Sequence, residues 1–160
     1  FKYKVIIVIK YVFFKLVIGG LQNNTIYYYN SSTGVSSLFS SGHTGQVNCL
    51  KLLDNATYAS GSNDNKVIIW NAKTGAQIKT LTGHSDYVYC LELLGNGYLA
   101  SGGKDDNIYI WNYTSSSTTY SYALTNAHGN NQQVNCIKQL SGYYFASATN
   151  GASNNLRVFY

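Results

Sequence analysis

The sequence contains few of the charged residues from which catalytic and nucleic-acid sites are built. Only 11% of the 160 residues are charged, and Arg157 is the one arginine. The formal net charge is +5, yet four lysines lie within the first fifteen residues and no lysine-rich run follows. A modest charge surplus without a cluster indicates solubility and non-specific attraction, not a dedicated site. We therefore expect no nucleic-acid partner.

Paired carboxylates for acid–base catalysis are also missing. The six acidic residues are Asp54, Asp64, Asp86, Glu92, Asp105 and Asp106, and they offer no obvious catalytic pair. The segment Gly102-Gly103-Lys104 lacks the glycine spacing and the following helix of a phosphate-binding loop. These absences predict a protein that is not an enzyme, with no catalytic residue and no cofactor.

Methionine and proline are absent, and no apolar run is long enough to cross a membrane. Since the chain has no initiator methionine, we interpret it as a processed protein or a fragment. The most apolar stretch, residues 5–18, is interrupted by Lys10 and Lys15 and is shorter than the ~20 residues of a membrane-spanning helix. We expect no membrane partner. A truncated signal sequence is the alternative interpretation of this stretch.

What the sequence does contain is a repeat of 41 residues. Gly42-His43 recurs as Gly83-His84, and Trp70-Asn71 recurs as Trp111-Asn112. A fixed period of about 40 residues is typical of architectures built from equivalent supersecondary units. Between these markers, short β-branched and aromatic runs alternate with Gly, Asn and Asp turns, which indicates strands. The sequence therefore predicts an all-β protein.

The period predicts four units, at about residues 1–41, 42–82, 83–126 and 127–160. Strands are expected at 47–52, 57–60, 66–70 and 76–81 in the second unit, and at 88–93, 98–101 and 107–111 in the third. The first unit is degenerate, but Tyr29 stands 41 residues before Trp70. Its first two strands are then supplied by residues 5–18, whose apolarity we attribute to burial between neighbouring units. The last unit carries insertions around 130–132 and 151–154.

These markers carry a family resemblance. Their order resembles that of the WD-repeat (WD40) family of β-propellers: Gly-His, then a Val that opens a strand, then Ala-Ser-Gly, and then an Asp six positions before Trp. The second unit has Gly42-His43, Ala59-Ser60-Gly61, Asp64 and Trp70, and the third has Gly83-His84, Ala100-Ser101-Gly102, Asp105 and Trp111. Asn71 and Asn112 replace the Asp of the family's Trp-Asp ending. The resemblance covers roughly residues 15–160 and is weakest at both ends.

The resemblance implies one four-stranded antiparallel sheet, or blade, per unit, with about four blades in a partial propeller. It also implies a structural network in each of the two good blades: His43, Ser60, Asp64 and Trp70, then His84, Ser101, Asp105 and Trp111. A buried Asp needs hydrogen-bond donors, which these residue types supply. An open arc of blades leaves faces and edges exposed. We therefore expect a fragment of a larger propeller, and the alternative is a short protein that closes by pairing with itself.

Cysteine and histidine occur three times each, once in each of the last three units. The cysteines lie in Val47-Asn48-Cys49, Val88-Tyr89-Cys90 and Val134-Asn135-Cys136, and the histidines are His43, His84 and His128. An odd number of cysteines without close pairs argues against a disulfide framework or a metal site. We interpret the cysteines as small buried strand residues and the histidines as structural. Free thiols favour a reducing compartment, so we expect the cytoplasm, with the nucleus as the alternative.

The resemblance also implies partner contacts on the narrow top face around the central channel. The residues carried over are Gln46, Asn48, Asn63, Tyr87, Tyr89, Lys104, Gln133 and Asn135. Tyr87 and Tyr89 flank Val88 on one strand, so both point away from the side of Val88. Two tyrosines beside a lysine form an amphipathic group of the kind that dominates interfaces. The alternative is that a chain with sixteen tyrosines places them here without a contact role.

These observations predict a non-enzymatic scaffold that binds other proteins or peptides within a larger complex. Two alternatives belong to other classes. A substrate-recognition propeller of a ubiquitin-ligase-type assembly would need an arginine cluster for phosphate, and only Arg157 is present. A lipid-headgroup-binding propeller would need an Arg-Arg signature, which the sequence lacks.

Overall fold

The computed structural model describes residues 6–12, 15–19, 24–30, 33–129, 132–150 and 156–160. Within these residues the chain forms fifteen β-strands and no helix. The strands are β1 Ile6–Val12, β2 Lys15–Gly19, β3 Thr25–Asn30, β4 Val35–Ser41, β5 Val47–Leu52, β6 Thr57–Ser62, β7 Lys66–Asn71, β8 Gln77–Thr82, β9 Val88–Leu93, β10 Leu99–Gly103, β11 Ile108–Trp111, β12 Tyr122–Leu124, β13 Val134–Gln139, β14 Phe145–Thr149 and β15 Leu156–Phe159. The prediction of an all-β protein is confirmed.

Consecutive strands pair in antiparallel fashion and form four separate sheets. The first sheet has the order β1-β2-β3-β4, the second β5-β6-β7-β8 and the third β9-β10-β11-β12. In the fourth sheet the described residues form three strands, β13-β14-β15. Since short connections keep sequential strands adjacent, each repeat of the sequence becomes one antiparallel meander.

The observed strands begin and end within two residues of the predicted ones in the second and third sheets. The two strands expected in the apolar stretch at residues 5–18 are β1 and β2. The side chains of these two strands lie outside the described residues, so their burial between units stays a prediction. Most of the two insertions predicted for the last unit also lies outside the described residues.

The turns between strands repeat their backbone conformation at the 41-residue period. Asn65 and Asp106, between the second and third strands of their sheets, have φ values of 67° and 58°. Asn and Asp tolerate this left-handed conformation better than other residues with a side chain. Gly34 and Gly75, between the third and fourth strands, have φ values of 70° and 74°. Glycine adopts such values without a steric penalty, so the turn residues themselves maintain the period.

The hydrophobic core lies between successive sheets. One face of the second sheet packs against the third sheet in a layer formed by Cys49, Leu53, Ala59, Val67, Ile69 and Leu81 on one side and Val88, Leu91, Leu99, Tyr109 and Trp111 on the other. A second layer joins the third and fourth sheets in the same manner. Ile26 of the first sheet packs into a third layer against the second sheet. Each sheet therefore buries both of its faces only when it has a neighbour on each side.

The second strand of one sheet and the inner strand of the next sheet approach so closely that glycine is needed at the contact. A Cβ atom on Gly102 would lie 2.4 Å from Val134 Cγ1 and 2.9 Å from Cys90 Sγ. One repeat earlier, a Cβ atom on Gly61 would lie 2.6 Å from Val88 Cγ1. These separations are well below van der Waals contact. The glycine of each Ala-Ser-Gly segment therefore lets the β-branched residue of the next sheet pack directly onto the backbone.

We expect Gly102→Ala to lower the free energy of unfolding by about 1–3 kcal/mol, because the added methyl group overpacks the junction against Val134. Urea denaturation measures this loss. Val134→Ala removes the nearest methyl group, so the double variant should lose less stability than the sum of the two single losses. Additive losses would contradict the proposed contact.

Candidate partner-binding face and its supporting network

In the second sheet four polar side chains form a continuous chain of hydrogen bonds. Trp70 Nε1 lies 2.7 Å from Ser60 Oγ, and Ser60 Oγ lies 2.6 Å from His43 Nε2. His43 Nδ1 lies 2.8 Å from Asp64 Oδ2. The tryptophan N–H can only donate and the carboxylate can only accept. Trp70 therefore donates to Ser60, and His43 donates from Nδ1 to Asp64, so the four side chains are linked without a break.

The third sheet repeats this arrangement. Trp111 Nε1 lies 2.8 Å from Ser101 Oγ, and Ser101 Oγ lies 2.7 Å from His84 Nε2. His84 Nδ1 lies 3.0 Å from both carboxylate oxygens of Asp105. The structure thus brings the eight network residues of the sequence analysis together in two sets of four.

The two aspartates also hold the backbone of the loops around them. Asp64 accepts hydrogen bonds from the backbone N–H groups of Thr44, at 2.9 Å, and Lys66, at 3.1 Å. Asp105 accepts a bond from the backbone N–H of Ser85 at 3.0 Å. Each carboxylate therefore ties the loop that enters a sheet to the turn between the second and third strands of that sheet.

The surroundings of the two aspartates shift their pKa values in a common direction. Burial alone would raise the pKa of each carboxyl. The hydrogen bond and charge of His43 or His84, together with the backbone N–H donors, outweigh burial and hold both pKa values below the ordinary value of 3.8. Both side chains therefore remain ionised acceptors at neutral pH.

A further part of this pattern, which the sequence analysis did not identify, lies in the fourth sheet. His128 Nε2 lies 2.6 Å from Ser147 Oγ, and the backbone N–H of His128 donates to Asp106 Oδ1 at 3.0 Å. Asp106 belongs to the third sheet and is fully buried. The available signal was Ala146-Ser147-Ala148, which departs from Ala-Ser-Gly only in its last residue. Asp106 gave no signal, because its role depends on a neighbouring sheet.

The Ser-His-Asp sets resemble the order of groups in a hydrolase triad, but their geometry does not suit nucleophilic catalysis. Ser60 and Ser101 have no exposed surface. Each hydroxyl oxygen already accepts a bond from an indole N–H and lies against an imidazole. A nucleophile must reach a substrate carbon, and these oxygens contact only the protein interior.

The residues predicted to bind partners lie at one end of the inner strands. Gln46, Tyr87 and Gln133 directly precede β5, β9 and β13, and Asn48, Tyr89 and Asn135 are the second residues of those strands. Asn63 and Lys104 directly follow β6 and β10 at the same end of their sheets. We call these eight residues the top face. Gln46, Tyr87 and Asn135 are exposed and the other five are half-buried.

Three of the top-face residues are joined around Asn48. Asn48 Nδ2 donates to Asn63 Oδ1 at 2.7 Å and to the backbone carbonyl of Val88 at 2.9 Å. The backbone N–H of Asn63 donates to the carbonyl of Gln46 at 2.9 Å. The Val88 contact crosses from the second sheet to the third, so this group is fixed on both sides of the junction.

A second group combines Tyr87, Tyr89 and Lys104 with Asp86, which the sequence analysis left unassigned. Lys104 Nζ lies 3.1 Å from Asp86 Oδ2 and 4.8 Å from the centroid of the Tyr87 ring. The rings of Tyr87 and Tyr89 meet edge to face at 6.4 Å. The backbone N–H of Lys104 donates to the carbonyl of Tyr87 at 2.8 Å. Two aromatic rings and an ion pair thus share one exposed cluster.

The protonation states of this cluster follow from its contacts. The hydrogen bond and charge of Asp86 raise the pKa of Lys104, so its ammonium group remains charged. Burial raises the pKa of Tyr89. Tyr89 therefore keeps its hydroxyl proton at neutral pH and can donate it to a ligand.

The remaining top-face pair lies on the fourth sheet. Asn135 Nδ2 donates to the backbone carbonyl of Gln133 at 3.2 Å. Residues 130 and 131, just before this pair, lie outside the described residues. The structure therefore places eight residues at one end of the sheets, and the described contacts join them in three local groups.

Farther along the inner strands a carboxylate joins three sheets, which the sequence analysis also missed. Glu92 Oε2 lies 2.6 Å from Lys51 Nζ and 3.7 Å from Lys138 Nζ. Glu92 is buried, and Lys51 stands 41 residues before it on the neighbouring inner strand. Sequence analysis could have found this cluster, because Lys51 and Glu92 have opposite charges and occupy the same position of the repeat. This cluster ties the strands together away from the top face.

The cysteines are free thiols, and the interpretation that all three are buried is wrong for Cys136. Cys49 and Cys90 are buried between sheets, whereas Cys136 is exposed on the fourth sheet. Burial raises the pKa of the Cys90 thiol well above its ordinary value, so it stays protonated at neutral pH. Cys136 differs because, among the described residues, no further sheet covers its side of the fourth sheet.

The described residues contain neither a metal-binding cluster nor a membrane-spanning helix. They contain no group of three or more His, Cys, Asp or Glu side chains placed to hold a metal ion. In the same residues there is no helix of the length and apolarity that a membrane span requires.

We expect Ser101→Ala to lower the free energy of unfolding by about 2–4 kcal/mol, because it leaves the Trp111 N–H and His84 Nε2 buried without a partner. Chemical denaturation measures the change. Ser116→Ala, at an exposed position, is the matched control and should change stability by less than about 0.5 kcal/mol. Equal effects of the two substitutions would contradict the network.

We expect the network's contribution to depend on pH in the acid range. Since the pKa of Asp105 is lower in the folded chain than its ordinary value, its charge stabilises the fold fully above about pH 4. This stabilisation is lost as the pH falls through the folded pKa. The difference in unfolding free energy between wild type and Asp105→Asn should therefore narrow below pH 4. A difference that stays constant from pH 7 to pH 2 would count against this assignment.

Comparison with known proteins agrees with this geometry. The family model described as "WD domain, G-beta repeat" (WD40) matches residues 32–71 and 75–112. WD40 propellers generally bind other proteins or peptides and typically have no catalytic activity. A search of curated proteins finds no match to this chain.

Solved structures share the fold. The chain is similar to the WD40 β-propeller domain of Doa1, with a TM-score of 0.81 and 23% sequence identity. The match covers 99% of this chain and 50% of the Doa1 chain, so the present chain spans half the length of that domain. Likeness at this identity shows the fold alone, and 1009 chains match, so it selects no particular function. The chain is therefore a WD40-repeat protein: residues 32–71 and 75–112 are WD40 repeats, and its sheets are the blades of a partial WD-type β-propeller.

Proposed function

We propose that this chain is a rigid, non-enzymatic scaffold that binds partner proteins or peptides through its top face. The observation that carries the proposal is the cluster of Tyr87, Tyr89, Lys104 and Asp86. It combines aromatic surface, hydroxyl groups and a paired charge at an exposed position. Tyrosine is enriched among residues that contribute most to binding, because it brings a large rigid surface and a polar group together.

The cluster is held in place before any partner binds. Lys104 projects from the turn that Asp105 anchors to His84 and to the backbone of Ser85. The Lys104–Asp86 pair is partly exposed, so it adds little to stability, but it restricts the lysine over the Tyr87 ring. A partner therefore does not have to order these side chains on binding, which lowers the entropic cost of association.

The chemistry of the top face favours a partner segment without a strong negative charge. Lys104 is already paired with Asp86, and the amides of Asn48 and Asn63 are paired with each other. The single arginine, Arg157, donates through Nη1 to the backbone carbonyl of Ala127 at 3.0 Å. Phosphate and lipid headgroups need several converging cations, so neither the phosphopeptide nor the lipid alternative is favoured.

A second feature supports a role without catalysis. An open groove of about 750 Å³ lies between the third and fourth blades, and Tyr98, Tyr122, Tyr143 and Phe145 line part of it. None of the described residues that line this groove is an acid, a lysine, a histidine or a cysteine. General acid–base catalysis most often uses His, Asp or Glu, whereas the ionisable side chains among the described lining residues are tyrosines. We also propose a cytoplasmic location on the basis of the free thiols, with the nucleus as the alternative.

We expect the double variant Tyr87→Ala, Tyr89→Ala to reduce capture of partner proteins from a lysate of the source cells by at least about tenfold. This corresponds to two interface tyrosines worth about 1 kcal/mol or more each. Quantitative mass spectrometry of the bound proteins measures the change. Melting temperature confirms that the fold survives, since neither residue belongs to a buried layer.

The matched control is Tyr143→Ala, Tyr144→Ala. These two exposed tyrosines lie in the turn between β13 and β14, at the other end of the strands from the top face. The control should leave capture unchanged. If the Tyr87 and Tyr89 variant retained every wild-type partner while remaining folded, the top face would not be the binding surface.

A further inference from the structure

The connection between the third and fourth strands of the third blade is longer than its counterpart in the second blade. It comprises residues 112–121, whereas residues 72–76 make the same connection in the second blade. Every residue from 114 to 119 is Ser or Thr, and the whole connection has no charged side chain. We call residues 112–121 the strap, because it reaches back to the preceding blade.

The strap is bonded to β8, the outer strand of the second blade. The backbone N–H of Thr82 donates to the carbonyl of Thr118 at 3.0 Å. Lys79 Nζ donates to the carbonyl of Ser115 at 2.6 Å and to the carbonyl of Ser117 at 3.3 Å. These bonds engage the backbone of the strap, while residues 116–119 are exposed.

Tyr120 anchors the end of the strap. Its ring lies 4.6 Å from the ring of Tyr109 and 6.1 Å from the ring of Trp111. A Cβ atom on Gly83 would lie 2.9 Å from Tyr120 Cδ1, so the ring also packs against the loop that enters the third blade. The exposed hydroxyl groups therefore lie on a surface loop between fixed points, where an enzyme can reach them without unfolding a blade.

The ammonium group of Lys79 is held by carbonyl oxygens and has no anionic partner in the described part of the chain. Lys79 is half-buried, and no carboxylate of the described residues forms an ion pair with it. Burial disfavours the charged form and lowers the pKa of Lys79. An anion beside this ammonium group would offset the cost of burying it.

Ser117 is the strap residue at which an anionic group would meet several donors. Its carbonyl already contacts Lys79. Its Oγ lies 3.1 Å from Thr119 Oγ1 and accepts a hydrogen bond from the backbone N–H of Thr119 at 3.3 Å. Ser115 differs, because it is half-buried and donates its hydroxyl proton to the carbonyl of Asn112. Ser117 therefore lies beside an ammonium group, a hydroxyl group and a backbone N–H.

We propose that Ser117 is a phosphorylation site and that its phosphate pairs with Lys79. A protein kinase transfers the γ-phosphoryl group of a nucleoside triphosphate: the bond from the γ-phosphorus to the bridging oxygen breaks, and a bond from phosphorus to Ser117 Oγ forms. The hydroxyl proton passes to the base of the kinase, and the nucleoside diphosphate leaves. The phosphate brings about two negative charges and three acceptor oxygens. It thus binds the strap of the third blade more tightly to the second blade, whatever partner the top face binds.

Phosphorylation of the 160-residue chain by a lysate of the source cells, with ATP labelled in its γ-phosphate, tests the site. We expect Ser117→Ala to lose most of the label that the wild-type chain incorporates. Ser116→Ala is the matched control, since Ser116 is the adjacent exposed serine and its described contacts do not include Lys79. It should keep the label. A wild-type chain that takes up no label, or a Ser117→Ala chain that takes up as much as wild type, would overturn the proposal.

Thermal unfolding tests the pairing with Lys79 separately. Phosphoserine introduced at position 117 by genetic code expansion should raise Tm by about 2–4 °C, because it adds a charge-assisted contact between two blades. In the Lys79→Met background the same phosphoserine should give no rise, and phosphoserine at position 116 should leave Tm of the otherwise unchanged chain as it was. No rise at position 117, or a rise that persists without the Lys79 ammonium group, would show that the phosphate does not pair with Lys79.

Discussion

The structure depends on one constraint: a blade of this protein cannot bury its own apolar faces and must be covered on both sides by other sheets. Val67 and Ile69 are apolar on a single four-stranded sheet, and they leave water only because the third blade packs over them. This burial requires the glycine of each Ala-Ser-Gly segment, since a side chain at Gly61 or Gly102 would collide with the next inner strand. Stability is therefore a property of pairs of blades.

Polar side chains lie beside this apolar layer because the turns have backbone N–H groups that need hydrogen-bond acceptors. A loop that enters a blade and the turn between its second and third strands have backbone N–H groups that no strand pairs. Asp64 and Asp105 accept those bonds, and the His-Ser-Trp chain connects each carboxylate to the centre of the sheet. A fully satisfied buried network fixes one geometry more tightly than apolar packing does. The serine hydroxyl groups that resemble a catalytic nucleophile are occupied by these structural hydrogen bonds.

The proposed binding surface follows from the same construction. The turns that the aspartates anchor begin at Asn63 and Lys104. The inner strands begin beside Gln46, Tyr87 and Gln133, and glycine lets two of them pack onto the preceding sheet. Side chains from three blades therefore meet at one end of the sheets without a dedicated element to hold them. A scaffold of this kind can change its partner by changing exposed residues, while the network and the layers between blades stay the same.

The sequence by itself determined the period, the all-β class and most strand bounds, because turn residues such as Asn65, Gly75 and Asp106 act locally. It also determined the composition of the network, since His43, Ser60, Asp64 and Trp70 recur at fixed spacing. The sequence did not reveal Asp106 beside His128, Glu92 between two lysines, or Asp86 beside Lys104, because these contacts join residues whose proximity depends on how blades pack or turns fold. The exposure of Cys136 was missed for the same reason: its repeat position predicts burial, but burial is decided by the presence of a neighbouring blade.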